Sequence, residues 1–157
     1  MHTINDLPIA SMQKRVSSFV LDDIIVAVLL FIIFYDQIIA LVAAVPTVLT
    51  PEAIEAFQYQ MKVFNSENLL LILSFKIIYH TFLIWQNNGM TLGKYLMKIK
   101  TVDVENAQNL SFVKALLRAV LRIVSELVLY VGFLVAFFLP LRQTFHDKLA
   151  RSVVVDV

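Results

Sequence analysis

Long apolar stretches dominate the chain, and polar residues interrupt them at only a few places. The mostly apolar stretch from Val16 to about Tyr35 is, as a helix, long enough to cross the ~30 Å hydrocarbon core of a bilayer. Apolar residues continue to Pro46, the first strong helix breaker, so we predict a first helix over about residues 16–45 and leave its end open. Residues 68–86 predict a second spanning helix, which the Asn-Asn-Gly that follows would end.

The segment between these two stretches begins like a helix. Thr50 suits the N-cap, Pro51 the first helical position, and Glu52 the first turn. Apolar residues then recur at helical spacing among polar ones, which predicts an amphipathic helix over residues 51–65. We interpret it as a helix that lies in the membrane interface. Packing of its apolar face on the rest of the protein is the alternative interpretation.

The C-terminal half combines two strand-like segments with an apolar region between them. Residues 95–104 alternate between polar and apolar positions, and residues 152–157 are mostly β-branched, so the two segments could pair as strands. The region between them, residues 111–141, carries charged residues spaced by four positions, as on one face of a helix. This stripe consists of Lys114, Arg118, Arg122 and Glu126. No internal repeat is evident in the sequence.

Residues 111–141 allow two arrangements. A single span would place Arg142, Lys148 and Arg151 outside, against the preference of basic residues for the cytoplasmic side, and the membrane would separate the two strand-like segments. Two short helices, about 111–127 and 129–141, would instead return the chain to the side from which it came. We favour the second arrangement, a short or re-entrant hairpin.

Together these elements predict an all-α membrane protein with a single domain over residues 1–157. We expect a small helical bundle of three or four membrane-embedded helices, with an interfacial amphipathic helix and a short cytoplasmic β-hairpin-like unit. The loop before the second spanning helix is acidic, whereas the loop after it is rich in lysine. Since positive charge favours the cytoplasmic side, we expect both the N-terminus and the C-terminus in the cytoplasm.

Composition supports the membrane assignment and excludes several functions. Apolar residues make up 59% of the chain and charged residues 16%, whereas soluble domains average about 45–50% and about 25%. The formal net charge of +1 provides no basic surface for nucleic acid. The chain has no cysteine and three histidines that do not cluster in sequence, and no nucleophile–base arrangement is visible. We therefore expect no metal, no cofactor and no enzymatic activity.

Ionisable residues lie within the apolar stretches, where each costs at least ~2.5–3.5 kcal/mol on insertion scales. They are Asp22 and Asp23 in the first helix, Lys76 and His80 on one face of the second, and the intrahelical pair Arg122 and Glu126. Such residues are candidates for ion coupling, because a desolvated carboxylate takes up a proton more readily unless a cation holds it. The alternative interpretation is static pairing, in which Lys76 pairs with a carboxylate of the first helix.

Four blocks of sequence, spread over almost the whole chain, form a recognisable set. They are Arg15-Val-Ser-Ser-Phe-Val-Leu-Asp22, Met90-Thr-Leu-Gly-Lys94, Ala115-Leu-Leu-Arg118, and Arg142-Gln-Thr-Phe-His146-Asp147-Lys-Leu-Ala150 with Ser152-Val-Val-Val155. As a set they resemble the bacterial RDD family, which is named for an arginine and two aspartates that fall here on Arg15, Asp22 and Asp147. The resemblance implies that these residues, with Arg118 and His146, form one polar cluster near the cytoplasmic face of a multi-pass protein of the bacterial cytoplasmic (inner) membrane.

The resemblance also implies a function. Some members of the family are reported or proposed as monovalent cation/proton antiporters, so Asp22, with Asp23 beside it, would exchange a proton for Na⁺ or K⁺. Three or four helices can hardly enclose a pathway alone, so we expect a homo-oligomer or a membrane-protein partner within the lipid bilayer. The alternative hypothesis is a non-catalytic membrane scaffold or accessory subunit, whose cluster of arginines and aspartates is a structural lock.

Overall fold

The computed structural model describes residues 3–4, 7–127, 136 and 139–157. Its helices and strands are β1 (Thr3–Ile4), β2 (Leu7–Pro8), α1 (Met12–Ile33), α2 (Tyr35–Ala43), α3 (Pro51–Gln86), α4 (Leu92–Met97), β3 (Ile99–Asp103), α5 (Phe112–Leu127), α6 (Phe145–Leu149) and β4 (Ser152–Asp156). Among these helices, α1 and α3 are long and apolar enough to cross a membrane. The predicted helix over residues 129–141 lies almost entirely outside the described residues.

The first predicted helix is divided into two. Ser11 starts α1 earlier than the predicted residue 16, because its side chain accepts a hydrogen bond from the backbone N–H of Lys14 (3.3 Å). The backbone leaves helical geometry at Phe34 (φ −102°, ψ 20°), which separates α1 from α2. α2 then ends at Ala43, three residues before the proline at which the sequence analysis expected the helix to stop.

α3 joins two elements that the sequence analysis separated. It begins as predicted, since the Thr50 side chain accepts a hydrogen bond from the N–H of Ala53 and Pro51 occupies the first turn. It then continues for 36 residues, because the chain has no proline or glycine between Pro51 and Gly89. At 1.5 Å per residue this helix is roughly 54 Å long, which exceeds the ~30 Å hydrocarbon core. Residues 51–65 therefore belong to the same continuous helix as residues 68–86, and the predicted separate interfacial helix is wrong.

The two strand-like segments pair, as predicted. β3 and β4 are antiparallel, with Ile99 opposite Asp156 and Asp103 opposite Ser152. Residues 95–97, however, belong to α4, a short helix that ends at Lys98 in the left-handed conformation (φ 54°). Because paired strands lie on the same side of a membrane, the arrangement in which the bilayer separates them is excluded. The pairing is consistent with the expected return of the chain after α5.

On α1 and α5 the distribution of polar and apolar residues is the reverse of that on the surface helices of soluble proteins. Polar residues face inward on both helices, including Asp22 of α1 and Arg122 of α5, which are buried. Apolar residues form the exposed rows, which are Val16, Val20, Ile24 and Val28 on α1 and Val113, Leu117, Val120 and Val124 on α5. Exposed apolar rows of this length are suited to hydrocarbon rather than to water as the surrounding solvent.

The sheet lies at the centre of an internal two-fold repeat, which the sequence analysis missed. Just before α1, Ile9 forms a bridge with Val155 of β4, and just before α5, Asn109 forms a bridge with Val102 of β3. Each long helix therefore starts beside the strand of the other half of the chain. We define the first unit as residues 9–33, α4 and β3, and the second unit as residues 109–127, α6 and β4.

Ion pairs between the units repeat in the same way. The Lys14 ammonium of the first unit lies 2.7 Å from Asp156 of the second, and Lys114 of the second unit pairs with Asp103 of the first. A serine three positions before each lysine accepts a hydrogen bond from the backbone N–H of that lysine. Corresponding residues thus make corresponding contacts across the sheet.

The short helices of the two units are also equivalent. Thr91 caps α4 and Thr144 caps α6, each through its hydroxyl, which accepts a hydrogen bond from the N–H of the residue three positions later. Lys98 and Arg151 then follow in the left-handed conformation, with φ of 54° and 49°, and lead directly into the strands. Both units therefore consist of a long helix, a short capped helix, a left-handed cationic residue and a strand.

The long helices of the two units run in the same direction. Near their starts, Arg15 and Arg118 bind the same carboxylate, that of Asp147. Farther along both helices, Asp23 pairs with Arg122. A repeat with this geometry has its two-fold axis along the helices, which in a bilayer is the membrane normal.

A buried charge network as the candidate functional site

Asp147 lies at the meeting point of α1, α5 and α6, and we call Arg15, Arg118 and Asp147 the Asp147 cluster. Nε of Arg118 donates a hydrogen bond to Oδ1 of Asp147 (2.8 Å), Nη2 of the same guanidinium lies 2.7 Å from that oxygen, and Arg15 donates to Oδ2. The backbone N–H of Thr144 also donates to Oδ2 (3.2 Å), which completes the capping box of α6. The cluster therefore ties one short helix to both long helices.

Two guanidiniums keep Asp147 charged. Burial by itself would raise the pKa of its carboxyl, but the Arg118 and Arg15 guanidiniums hold that pKa well below its usual range. His146 adds no charge, because burial lowers the pKa of its imidazole well below the usual value, although Asp147 acts in the opposite direction. A carboxylate held this firmly is poorly suited to releasing and taking up protons.

Asp22 lies in a different group of residues, which we call the Asp22 cluster: Asp22, Tyr79, Thr91, Gly93 and Lys94. Oδ1 of Asp22 accepts hydrogen bonds from the Tyr79 hydroxyl (2.9 Å) and the Gly93 N–H (2.9 Å), and Oδ2 accepts from the Thr91 hydroxyl (2.6 Å). The Lys94 ammonium lies 3.9 Å from Oδ2. A carboxylate offers about four acceptor sites, so Asp22 is close to saturation. These contacts hold α1, α3 and α4 together.

A close backbone approach between α4 and α1 makes the Asp22 cluster possible. A Cβ atom on Gly93 would lie 2.3 Å from the Ser18 carbonyl oxygen and 2.9 Å from Cγ of Asp22, so a side chain here would separate the helices. The cation of the cluster, Lys94, is buried. Burial, reinforced by the Arg118 guanidinium and opposed by Asp22, lowers the pKa of its ammonium to about 7. Unlike the Asp147 cluster, this one contains a charge that changes near neutral pH.

A third group lies between the helices, and we call Asp23, Lys76, Arg122 and Glu126 the Asp23 cluster. Arg122 donates from Nη2 to Asp23 (2.9 Å) and from Nε to Glu126 (3.0 Å), while Lys76 donates to the other oxygen of Glu126. Two cations and two carboxylates balance in charge. The Asp23 side chain is 29% exposed, whereas the central carboxylates of the other two clusters are 0% exposed. The Asp23 cluster therefore contains the most accessible carboxylate of the network.

α5 connects the Asp147 cluster and the Asp23 cluster to the sheet through its charged stripe. Each residue of the stripe pairs with a different element: Lys114 with β3, Arg118 with α6, Arg122 with α1 and Glu126 with α3. Arg122 also lies over the Phe19 ring, 4.4 Å from its centroid. The four-residue spacing recognised in the sequence therefore lets a single helix hold four other elements.

His80 lies beside the network without a hydrogen bond to it. Its buried ring meets that of Tyr79 edge to face, with 5.0 Å between the ring centroids. Neither ring nitrogen has a hydrogen-bond partner among the described residues. Nor does the described part of the chain group three His, Asp or Glu side chains in a way that could hold a metal ion.

The expected single cluster of Arg15, Asp22, Arg118 and Asp147 is divided in two. Arg15 and Arg118 reach Asp147 on α6, whereas Asp22 faces α4, because the two short helices lie at opposite ends of the sheet. His146 is buried beside Asp147, where its Nε2 lies 3.8 Å from Oδ1 of that aspartate.

The other charged candidates pair across helices. The intrahelical pair of Arg122 and Glu126 is confirmed. Lys76 is paired, but with Glu126 of α5 and not with a carboxylate of the first helix, as the alternative interpretation had it; Asp23 of that helix binds Arg122.

The sequence analysis did not identify the partners of Asp22. Tyr79 was not among its candidate site residues, and Gly93 and Lys94 appeared there only as part of a sequence block. The adjacency of a threonine N-cap, a glycine and a lysine in that block was the available signal, since a capped helix start can donate N–H groups to a carboxylate.

Comparison with known proteins assigns the family. The model of the RDD family matches residues 9–151, which include all three clusters. No curated protein and no solved structure matches the chain. The chain therefore belongs to the RDD family, whose members are membrane proteins.

Proposed function

We propose that the protein is a membrane transporter in which the Asp23 cluster exchanges a monovalent cation, Na⁺ or K⁺, for a proton. The observation that carries this proposal is the partial exposure of Asp23, next to a second carboxylate that shares the same arginine. Ionisable groups within the membrane are costly and therefore by default indicate a functional site. A path for ions to this cluster is part of the proposal.

The exchange would take place at Glu126. The ammonium of Lys76 is a built-in cation bound to this carboxylate. A Na⁺ or K⁺ ion that reaches Glu126 and Asp23 competes with the ammonium for the same oxygens. When the metal ion binds, Lys76 releases one proton to water and becomes a neutral amine; when the metal ion leaves, Lys76 takes a proton back. The charge of the cluster then stays constant, which surroundings of low dielectric constant favour.

This proposal moves the exchange from Asp22, the candidate from the sequence, to Glu126 and Asp23 of the Asp23 cluster. Both oxygens of Asp22 already accept hydrogen bonds, from Tyr79, Thr91 and Gly93, so a cation that binds there competes with these donors. In the proposal Asp22 positions α1 against α4 and carries no ion. Asp23, which points towards Arg122, is the carboxylate that an ion would meet first.

The proposal also includes an assembly and a location. Few helices are available to enclose a pathway, so we propose a homo-oligomer in the bacterial cytoplasmic membrane. The lysine-rich segment from Gln86 to Lys114 supports a cytoplasmic position for the sheet, and hence for both termini.

Purified protein in vesicles with a trapped pH-sensitive dye tests the exchange. We expect the wild type to dissipate an imposed pH gradient when Na⁺ or K⁺ is added. Glu126→Gln and Lys76→Gln should each reduce the initial rate at least tenfold. Lys62→Gln, a change on an exposed part of α3, is the matched control and should retain the rate of the wild type.

Two outcomes would contradict the exchange. The first is a folded, monodisperse wild type that leaves the gradient unchanged with both cations. The second is a normal rate in Lys76→Gln, which would mean that the Lys76 ammonium takes no part in the exchange.

A membrane scaffold or accessory subunit is the second candidate, and the Asp147 cluster favours it. A buried carboxylate with two guanidiniums ties the chain together and has no need of an ion. A scaffold would be inactive in the vesicle assay, yet single-cysteine variants in native membranes would cross-link to a partner protein. Inactivity without any cross-linked partner would argue against this candidate.

A further inference from the structure

The two short helices expose apolar side chains in a pattern that both units repeat. On α4, Leu92 and Leu96 are 42% and 58% exposed, and at the equivalent positions of α6, Phe145 and Leu149 are 41% and 50% exposed. Each pair is four residues apart and therefore lies on one face of its helix. Since the two helices differ in sequence, the repetition points to a shared environment rather than to chance.

Positive charge lies beside each apolar pair. Lys98 directly follows α4, and Lys148 lies within α6 between the two exposed apolar residues. Both lysines are exposed, and neither has a carboxylate partner among the described residues. Arg151, the equivalent of Lys98, pairs with Glu105 at an exposed position. Apolar residues flanked by uncompensated lysines are typical of segments that lie in the headgroup region of anionic bilayers.

The apolar pairs are continuous with the surfaces that face hydrocarbon. α4 packs on α1, whose exposed row begins at Val16, and α6 packs on α5, whose exposed row begins at Val113. Both long helices leave the sheet in the same direction, and the two-fold axis lies along them. The two short helices therefore lie at the same depth, at the membrane surface from which α1 and α5 start.

We propose that α4 and α6 form a pair of interfacial anchors for an anionic lipid surface. Leu92, Leu96, Phe145 and Leu149 insert among the headgroups, while Lys98 and Lys148 bind lipid phosphates. The sheet is then held against the bilayer at both of its ends, and its orientation relative to the membrane is fixed. This inference does not depend on whether the protein transports ions.

Because the chain has no cysteine, single cysteines can report on each anchor. Leu96→Cys and Leu149→Cys, each labelled with an environment-sensitive fluorophore, are compared in vesicles of phosphatidylcholine with and without phosphatidylglycerol. In the anionic vesicles we expect quenching by a spin-labelled lipid and at least threefold protection from iodide in water. Gln108→Cys, in the exposed polar turn after β3, is the matched control and should show the opposite pattern.

A second pair of variants tests the charges. Lys98→Asn keeps a residue that accepts the left-handed conformation, and Lys148→Gln keeps a helix former. In anionic vesicles the double variant should reduce lipid quenching of both labels at least twofold. In vesicles of phosphatidylcholine alone it should have no effect, since no anionic headgroup is present there.

Three results would overturn the proposal. Iodide quenching of Leu96→Cys and Leu149→Cys equal to that of Gln108→Cys would show that both helices face water. Lipid quenching that is the same with and without phosphatidylglycerol would remove the anionic lipid as the partner. Protection that appears in lipid-free detergent and increases with protein concentration would show that a second copy of the chain covers these helices.

Discussion

The first and second units share one backbone plan but place their charges in reverse. In the first unit the carboxylate, Asp22, is on the long helix and the cation, Lys94, is on the short one. In the second unit the cation, Arg118, is on the long helix and the carboxylate, Asp147, is on the short one. An exchange of the short helices would place Lys94 beside Arg118 and Asp147 beside Asp22. Charge therefore fixes which short helix packs on which long helix, in two halves of otherwise similar shape.

The two units also differ in how firmly their charges are held. Arg118 and Arg15 keep the pKa of Asp147 far below the physiological range, so the second unit has a permanent ion pair. Burial brings the pKa of Lys94 to about 7, so the corresponding charge of the first unit changes near neutral pH. The second unit thus has a fixed ion pair between its long and short helices, whereas in the first unit the charge of the short helix is adjustable by pH.

Asp147→Asn should have the largest effect, because it leaves Arg15 and Arg118 buried without a carboxylate. Breaking a buried ion pair from one side costs about 3–5 kcal/mol, which in a protein of this size would abolish folding or lower the unfolding temperature steeply. Thermal unfolding in detergent measures the loss. Asp22→Asn should cost less, since the amide oxygen still accepts hydrogen bonds and Lys94 can release its proton.

Asp36→Asn, on the exposed face of α2, is the control for the loss of a carboxylate and should leave stability unchanged within about 0.5 kcal/mol. If Asp22→Asn destabilises the protein more than Asp147→Asn, the contrast between a fixed and an adjustable unit is wrong.

Gly93→Ala should have the next largest effect and should affect only the first unit. The new Cβ would lie 2.3 Å from the Ser18 carbonyl oxygen, so α4 must move away from α1. Overpacking typically costs about 1–3 kcal/mol, and the hydrogen bonds to Asp22 would weaken as well. Leu92→Ala, on the exposed side of the same helix, is the control in the same unfolding measurement. Equal stability of Gly93→Ala and the wild type would mean that the close approach is not needed.

The pH dependence of stability should also distinguish the two units, with a smaller expected effect. Between about pH 7 and 10.5 the unfolded chain binds a proton at Lys94 that the folded protein does not bind, so the free energy of unfolding rises with pH in this window. Below about pH 7 the lysine is protonated in both states and the dependence ends. Unfolding temperatures of the wild type and of Lys94→Met across this range provide the measurement, and the variant should show a flatter profile. Lys62→Met, at an exposed position, should behave like the wild type; parallel profiles for Lys94→Met would refute the assignment.

The smallest effects should come from the equivalent surface pairs. Lys14→Gln and Lys114→Gln each remove a partly exposed ion pair between the units, and such pairs contribute about 0.2–1 kcal/mol. The two losses should be similar, and added salt should reduce both. Unfolding at low and high salt checks this. A loss at one site that exceeds the other by more than about 1 kcal/mol would show that the two-fold equivalence does not extend to energies.

Much of the local structure could be predicted from the sequence. Alternation and β-branched residues indicated the strand pair, and Thr50-Pro51 indicated the start of α3, because these signals depend on neighbouring residues. The stripe from Lys114 to Glu126 indicated one charged helix face. The end of a helix was harder to predict: the sequence analysis ended one helix at residue 65 and began the next at residue 68, but no residue there breaks a helix that packing supports.

The repeat and the separation of the clusters could not be predicted. Lys14 and Lys114 are 100 positions apart, whereas Asp103 and Asp156 are 53 apart, because the segment between long helix and short helix differs in length in the two units. No constant period therefore exists along the chain. The charge reversal further removes the residue identities by which a repeat is usually recognised. Asp22 and Tyr79 meet only because three helices converge, which no local pattern records.

The pairing of Arg15 with Asp147 has a consequence for biosynthesis. The aspartate follows the arginine by 132 residues. At ~5–20 residues per second, the ribosome needs roughly 7–26 s to add that length of chain. During this interval the Arg15 guanidinium of α1 lacks its partner in the folded protein, because Asp147 has not yet been made. We expect the newly made helix to hold Arg15 at the headgroups, or against an insertion factor, until the last short helix is made.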